Sequence, residues 1–151
     1  MSTLSIATSG LSAASLRLNV TASNIANALT TGPLPATGGS GTPAGGTGGG
    51  SSANSTFPAA YVPLQVNQVD QSNGSTPGGT LATVSTVSPS FVPQSDPSAP
   101  FANQDGLVAA PNVDLADQFV QLITAKYAFA ANAKVIQAYD NTTKSLLDIS
   151  V

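Results

Sequence analysis

The distribution of proline and glycine divides this chain into three parts. All eleven prolines lie between Pro33 and Pro111, and thirteen of the fourteen glycines lie between Gly32 and Gly106. The remaining glycine is Gly10. Because proline and glycine are the least favoured residues inside a helix, the two ends are free to form long helices and the middle is not. The sequence therefore predicts a mainly α fold with a small β part, in which long terminal helices pack as a coiled-coil-like bundle around an irregular middle.

The N-terminal segment, residues 2–28, carries a heptad pattern. Large apolar residues recur every seven positions, at Leu4, Leu11, Leu18 and Ile25. A small residue follows each of them by three positions, at Ala7, Ala14, Thr21 and Ala28. Such a pattern is typical of a coiled-coil seam, and its small positions let a second helix come close. We expect a helix of roughly 35–40 Å, at about 1.5 Å per residue, that ends before Gly32 and Pro33.

The C-terminal segment, residues 114–148, predicts a second helix with apolar side chains on more than one side. One heptad row consists of Leu115, Leu122, Phe129, Ile136 and Thr143. Phe119 flanks this row, whereas Val120 and Tyr127 lie about 140° away at roughly 100° per residue. A single partner helix cannot cover so wide a surface. The pattern therefore favours packing against several neighbours, including other chains.

The middle of the chain predicts a flexible tract and short strands. Residues 37–55 are rich in Gly, Ser and Thr and have almost nothing to bury. Alternating apolar residues at 62–66 and β-branched residues at 80–87 predict a small β-hairpin with its turn at 73–79. Residues 91–111 are expected to be extended, with a turn at Asp105-Gly106. The predicted segments are a helix at 1–30, a flexible loop at 31–56, a β-containing middle at 57–112 and a helix at 113–151.

The composition lacks most of the chemistry that enzymes and nucleic-acid-binding proteins need. There is no Cys, His, Glu or Trp, and 7% of the residues are charged, against about 25% in an average soluble domain. The missing thiols and imidazoles argue against zinc, haem and triad chemistry, so we predict no catalytic residue, metal or cofactor. Four cations and a net charge of −3 disfavour a nucleic-acid surface. Weak self-repulsion suits a protein that packs against its own copies.

No signal peptide or membrane span is expected. The first cation is Arg17, and Ser, Thr and Gly interrupt the apolar residues of the N-terminal segment, unlike a secretory signal. No stretch of about 18 apolar residues occurs anywhere, so no transmembrane helix is predicted.

Two stretches carry recognisable motifs. Residues 9–28 read SGLSAASLRLNVTASNIANA and resemble the N-terminal signature of the bacterial flagellar axial family of rod and hook proteins. Residues 105–114 read DGLVAAPNVD and, with the helix after them, resemble the C-type basal-body rod proteins of that family, which form the proximal rod. The matching positions are Ser9, Gly10, Leu11, Arg17, Leu18, Asn24, Asn27, Gly106, Pro111, Asn112, Val113, Asp114 and Asn132. The Gly/Ser-rich tract departs from the family pattern, and Tyr61 is expected to take the place of a family Tyr.

The resemblance implies a structural subunit of the flagellar rod that polymerises through its terminal helices, transmits torque and lines the export channel. It implies as partners other copies of the chain, other rod subunits, membrane-ring and rod-adaptor proteins, and the flagellar type III export apparatus. The implied location is the basal-body rod across the periplasm, reached without a cleaved signal peptide. The residues expected to pack between subunits are Leu4, Leu11, Leu18, Ile25, Leu115, Phe119, Leu122, Phe129 and Ile136.

Several polar residues of the helices have two interpretations. Asn24 and Asn132 are either solvated or hydrogen-bonded across a helix interface, where a buried Asn can fix register. Asn27 has the same second interpretation, or it ends the helix. Arg17 either keeps its charge in water or pairs with Asp114 or another Asp of a neighbouring subunit.

The carboxylates at the start of the second helix suit capping better than catalysis. Asn112 or Asp114 can cap the helix, and Asp117 in the first turn is favoured by the helix dipole. Asp114 and Asp117 are three residues apart, but a catalytic pair needs a pocket and two different environments.

Two other functions stay open at the level of sequence. One is another axial subunit, of a different rod type or related to the hook, and residues 111–114 discriminate against it. The other is a secreted, non-enzymatic binding module that displays a ligand loop in its Gly-rich tract. Deleting residues 38–51 would abolish ligand binding by such a module but would leave the helix packing of a rod subunit intact.

Overall fold

The computed structural model describes residues 2–35, 57–72 and 78–149. Its elements are α1 (Thr3–Asn27), β1 (Leu64–Asp70), β2 (Thr80–Thr86), β3 (Phe91–Ser95), β4 (Leu107–Pro111) and α2 (Leu115–Ile149). The predicted mainly helical fold with a small β part is confirmed. In the described ranges, neither helix has the length and apolar character needed to cross a membrane. Residues 36–56 of the flexible loop expected at 31–56, and residues 73–77 of the turn expected at 73–79, lie outside the described residues.

Both ends of α1 are set by local hydrogen bonds. Ser2 Oγ accepts a bond of 3.3 Å from the Ser5 amide, which satisfies one of the free amides of the first turn. At the other end, the amide and hydroxyl of Thr30 donate to the Asn27 carbonyl over 3.1 and 2.7 Å. The chain then reaches Gly32 and Pro33, as expected.

α2 is 35 residues long, and polar side chains one turn apart contact each other along it. Asp117 lies in the first turn and accepts a bond of 2.7 Å from Gln121 Nε2. Further along, Lys144 Nζ lies 2.6 Å from Asp140 Oδ2 in an exposed ion pair one turn apart. Pairs of this spacing support an isolated helix, so α2 has its own means of staying helical where little packs against it.

β1 and β2 form the predicted hairpin. The Val87 amide donates to the Pro63 carbonyl over 2.9 Å, and the Gln71 amide donates to the Gly79 carbonyl over 2.8 Å. These two bonds share one antiparallel register. In that register the backbone groups of Leu64 point away from β2, because hydrogen-bonded and outward-facing residues alternate along an antiparallel strand.

β3 and β4 form a second antiparallel hairpin, with Phe91 opposite Pro111. The predicted turn is present, and Gly106 adopts a φ of 71°, which favours glycine. The sequence predicted extended chain at 91–111 but not the pairing of two strands. β4 is almost completely buried, so its residues LVAAP show no alternation of apolar and polar side chains.

Gly32 joins the chain after α1 to β4. Its amide and carbonyl pair with the carbonyl and amide of Ala109 over 3.0 and 2.9 Å. A Cβ atom at Gly32 would collide with the backbone of Ala59 and Ala60. The backbone at Gly32 and the backbone at Ala60 therefore lie side by side.

The chain forms two compact units, one comprising Met1–Ala22, Gln65–Ser85 and Ala116–Val151, the other Ser23–Leu64 and Thr86–Leu115. The buried apolar residues of the first unit are mostly small: Ala7, Ala13, Ala14, Val20 and Ala125. Those of the second include Val108, Ala109 and Ala110 of β4. Neither set contains a fully buried large aromatic side chain among the described residues.

Candidate subunit-packing surface

The two heptad rows of α1 have different environments. The small row is buried, since Ala7, Ala14 and Thr21 are at most 4% exposed. The large row is not: Leu4 is 39% exposed, and Leu11, Leu18 and Ile25 are only half-buried. The helix thus packs through its small residues and leaves part of its large apolar side chains uncovered.

α2 leaves even more apolar surface uncovered. Ala125 is its buried residue among those described. Of the residues expected to pack between subunits, Leu115, Phe119 and Phe129 are exposed, while Leu122 and Ile136 are half-buried. Other large side chains of α2 are exposed as well: Val120, Ile123, Tyr127, Val135, Tyr139, Leu146, Leu147 and Ile149. These residues lie on several sides of the helix, as its pattern predicted.

Two grooves of the first unit are bordered by these side chains. The larger, of about 950 Å³, is lined by Leu4 of α1 and by the stretch of α2 from Phe129 to Thr143, with Lys134 and Asp140 among the lining residues. The smaller, of about 400 Å³, is lined by Leu11 and its neighbours on α1 and again by Phe129. Phe129 therefore belongs to both grooves.

The two helices come together at Gly10. A Cβ atom built on Gly10 would lie 2.7 Å from Asn132 Oδ1 and 2.9 Å from both Cγ and Nδ2 of Asn132. Asn132 Nδ2 donates to the Ala128 carbonyl of its own helix over 2.9 Å. Asn132 is thus a half-buried residue at the helix interface, although its hydrogen bond stays within α2.

Asn24 is buried, and its partner is a strand rather than a helix. Its Nδ2 donates to the Leu64 carbonyl over 2.7 Å, and its Oδ1 accepts from the Leu64 amide over 3.0 Å. The Tyr61 hydroxyl donates to the same oxygen over 3.0 Å and lies 3.1 Å from Ser23 Oγ. The interpretation of Asn24 as a solvated residue is wrong, because a carboxamide that is only 1% exposed needs protein partners.

Other motif residues of α1 also make contacts within the chain. Ser9 Oγ accepts a bond of 3.1 Å from the Thr80 amide at the start of β2 and donates to the Ile6 carbonyl. Asn27 is the last residue of α1, and its Nδ2 donates to the Ser23 carbonyl over 2.9 Å. Sequence reasoning did not find the role of Ser9, since its partner lies 71 positions further along the chain.

The PNVD stretch connects β4 to α2. Pro111 is buried at the end of β4, and the Val113 amide donates to its carbonyl over 2.9 Å. Asn112 lies three residues before the first residue of α2, too early for the N-cap position, and its Nδ2 donates to the Pro89 carbonyl over 2.9 Å. Asp114 directly precedes α2, at the position expected for the N-cap.

The acidic side chains of the described residues form no candidate metal site. In the described ranges, no three His, Cys, Asp or Glu side chains come close enough together to hold a metal ion. Arg17 is half-buried and makes no ion pair with any residue that the structure describes. Its pairing with an Asp of another subunit stays a prediction.

Comparison with known proteins matches both ends of the chain to flagellar basal body rod families. Residues 4–33 match the family described as Flagella basal body rod protein, and residues 104–149 match the one described as Flagellar basal body rod FlgEFG protein C-terminal. Flagellar basal-body rod protein FlgC of Salmonella typhimurium is 36% identical over 146 residues, which is 94% of this chain and 88% of the relative. The chain belongs to the flagellar basal-body rod protein family.

Two further members of the rod protein family agree. FlgC of Yersinia enterocolitica is 36% identical and FlgC of Escherichia coli O157:H7 is 35% identical, over the same shares of both chains. These relatives are of the C type, which the PNVD stretch indicated. The two family matches cover α1 from Leu4 onwards and the whole of α2, so the surfaces described above lie in the parts of the chain that define the family.

Proposed function

We propose that this rod-family protein is a structural subunit of the flagellar basal-body rod and that it polymerises through α1 and α2. The observation that carries the proposal is the exposure of large apolar side chains on both helices beside a buried row of small ones. At 63% and 68% exposure, Leu146 and Leu147 do little for the stability of a single chain. Burying one such side chain completely against a neighbour stabilises an assembly by about 1.5–3 kcal/mol.

The same helices suit the transmission of torque. Closely packed interiors are hard to compress and pass strain on, so helices enclosed on several sides by neighbours turn together. The first helix adds little desolvation cost to such packing, because Arg17 is the only charged residue before Asp70. We propose that the packed helices also line the export channel.

The partners that follow from this role are copies of the chain, other rod subunits, membrane-ring and rod-adaptor proteins, and the flagellar type III export apparatus. Its location is the rod within the basal body, and its work is mechanical rather than enzymatic. The names of the relatives support this role, since each is called a basal-body rod protein.

Charge introduced into the proposed surface tests the function. Leu11→Asp and Leu122→Asp place a carboxylate where we expect a neighbouring helix, and desolvating that charge costs several kcal/mol. We expect both variants to abolish swimming and to be absent from purified basal bodies. Leu11→Met and Leu122→Met are the matched controls, since they keep the surface apolar and should swim.

Two measurements decide the outcome of this test. Helical content by circular dichroism must match the unsubstituted chain, so that loss of assembly is separated from loss of fold. Normal swimming by either Asp variant would refute packing through these helices.

A further inference from the structure

We infer that Gly10 and Asn132 form a register contact, which sets how far α1 is shifted along α2. The contact thereby decides which large side chains the helix pair presents to other subunits. Its effect on helix register stands by itself, and its effect on the rod rests on the proposed function.

Helix propensity does not explain Gly10. It is the chain's one glycine outside 32–106, and it lies in the interior of α1, where glycine is disfavoured. Ala7, Ala13 and Ala14 are buried on the same helix, so alanine fits close by. The position of Gly10 is therefore explained by what lies against it, and that is the carboxamide of Asn132.

The carboxamide is held in place. Three atoms of Asn132 lie within 2.7–2.9 Å of where a Gly10 Cβ would be, and its Nδ2 is bonded to the Ala128 carbonyl. Rotating the amide away would break that bond. A side chain at residue 10 would force the helices apart or displace Asn132.

The heptad pattern of α1 does not by itself fix one register. Moving α1 by one heptad along α2 replaces each residue of the small row by another, at Ala7, Ala14, Thr21 and Ala28. The same movement brings Thr3 or Arg17 to the place of Gly10. Neither residue leaves room for Asn132, so one register is selected from several that are otherwise similar.

Distances between spin labels test the register directly. The chain has no cysteine, so Thr8→Cys and Lys126→Cys, both at exposed positions, place one label on each helix. In sucrose, which favours the compact state, we expect one narrow distance for the labelled chain. Adding Asn132→Ala should produce further distances, since a one-heptad shift moves the helices about 10 Å along their axes. Asn67→Ala is the matched control, since it also removes a carboxamide with one hydrogen bond, to Ser85, but lies at an exposed position of β1, and it should keep the single distance.

Thermal unfolding gives a second, independent measure. Gly10→Ala should lower the melting temperature, because displacing the Asn132 carboxamide breaks its bond to the Ala128 carbonyl, although alanine favours a helix more than glycine does. Adding Asn132→Ala should restore most of that loss because it removes the clash. The inference is overturned if Asn132→Ala keeps one narrow distance, if the unsubstituted chain gives a broad one, or if Gly10→Ala raises the melting temperature.

Swimming assays separate this inference from the proposed function. If the register contact matters to the rod, Asn132→Ala impairs swimming and Asn67→Ala does not. Altered distances with normal swimming would keep the register contact and refute its role in the rod. If the proposed function is wrong, the Leu11→Asp or the Leu122→Asp variant will swim normally.

Discussion

At the scale of single residues, the side chain of Asn24 makes the hydrogen bonds that a neighbouring β-strand would make. Its side-chain N–H and C=O meet the carbonyl and amide of Leu64, as the peptide group of a neighbouring strand would. Tyr61 completes the site by donating to the same oxygen. A residue of a helix thus satisfies the outward-facing backbone groups at the start of β1.

Asn24→Asp should therefore destabilise the fold strongly, although Asn and Asp are nearly equal in size. The variant keeps an acceptor but loses the donor to the Leu64 carbonyl, and it buries a negative charge beside that carbonyl. We expect a loss of about 2–4 kcal/mol in the free energy of unfolding at neutral pH, measured with urea. Burial raises the pKa of the new carboxyl, so protonation at lower pH should restore a donor and reduce the loss.

Asn19→Asp makes the same chemical change at an exposed position of α1. It should cost little at any pH. Equal losses in the two variants, or a loss at Asn24 that does not shrink as the pH falls, would contradict the role given to this carboxamide.

At the scale of elements, periodicity predicted what depends on neighbours along the chain. Both helices and the first hairpin were found from spacing, β-branched residues and turn residues. The β3–β4 pairing was not, because β3 has five residues with Pro93 among them and β4 is buried without alternation. The contacts of Ser9 and Asn24 were also out of reach, since distant segments supply their partners.

The small row of α1 is buried and its large row is only half-buried. Enlarging a residue of the small row should therefore destabilise the single chain more than truncating a residue of the large row. Ala14→Leu forces a larger side chain into the buried row and should lower the free energy of unfolding by about 1–3 kcal/mol. Leu18→Ala removes atoms that are only half-buried and should cost the single chain less. Urea unfolding of the two variants measures the difference, and a larger loss for Leu18→Ala would show that the large row is the true seam of the single chain.

At the scale of the whole molecule, each unit has a small core for the length of chain that it organises. The first unit is held by alanines, valine and threonine along its helices, and the second by β4 and the residues around Asn24. Residues 137–149 of α2 are exposed throughout. The stability of the separate chain should therefore be lowest in that stretch.

Hydrogen exchange tests this expectation. In the purified chain, amides near Leu146 and Leu147 should exchange much faster than those around the buried Ala125. In purified basal bodies the same two amides should become protected, since neighbouring subunits are expected to cover them. Strong protection near Leu146 in the separate chain would argue that this end of α2 needs no neighbours.

The meeting of Gly32 with Ala59 and Ala60 has a consequence for how such a chain tolerates change. Because the backbone departs and returns at one place, lengthening the intervening tract does not move the residues on either side. The entropy cost of joining two fixed points grows slowly with the length of chain between them, by only about 0.6 kcal/mol for each doubling. An epitope tag inserted between Pro35 and Phe57 should therefore leave the described fold on either side unchanged.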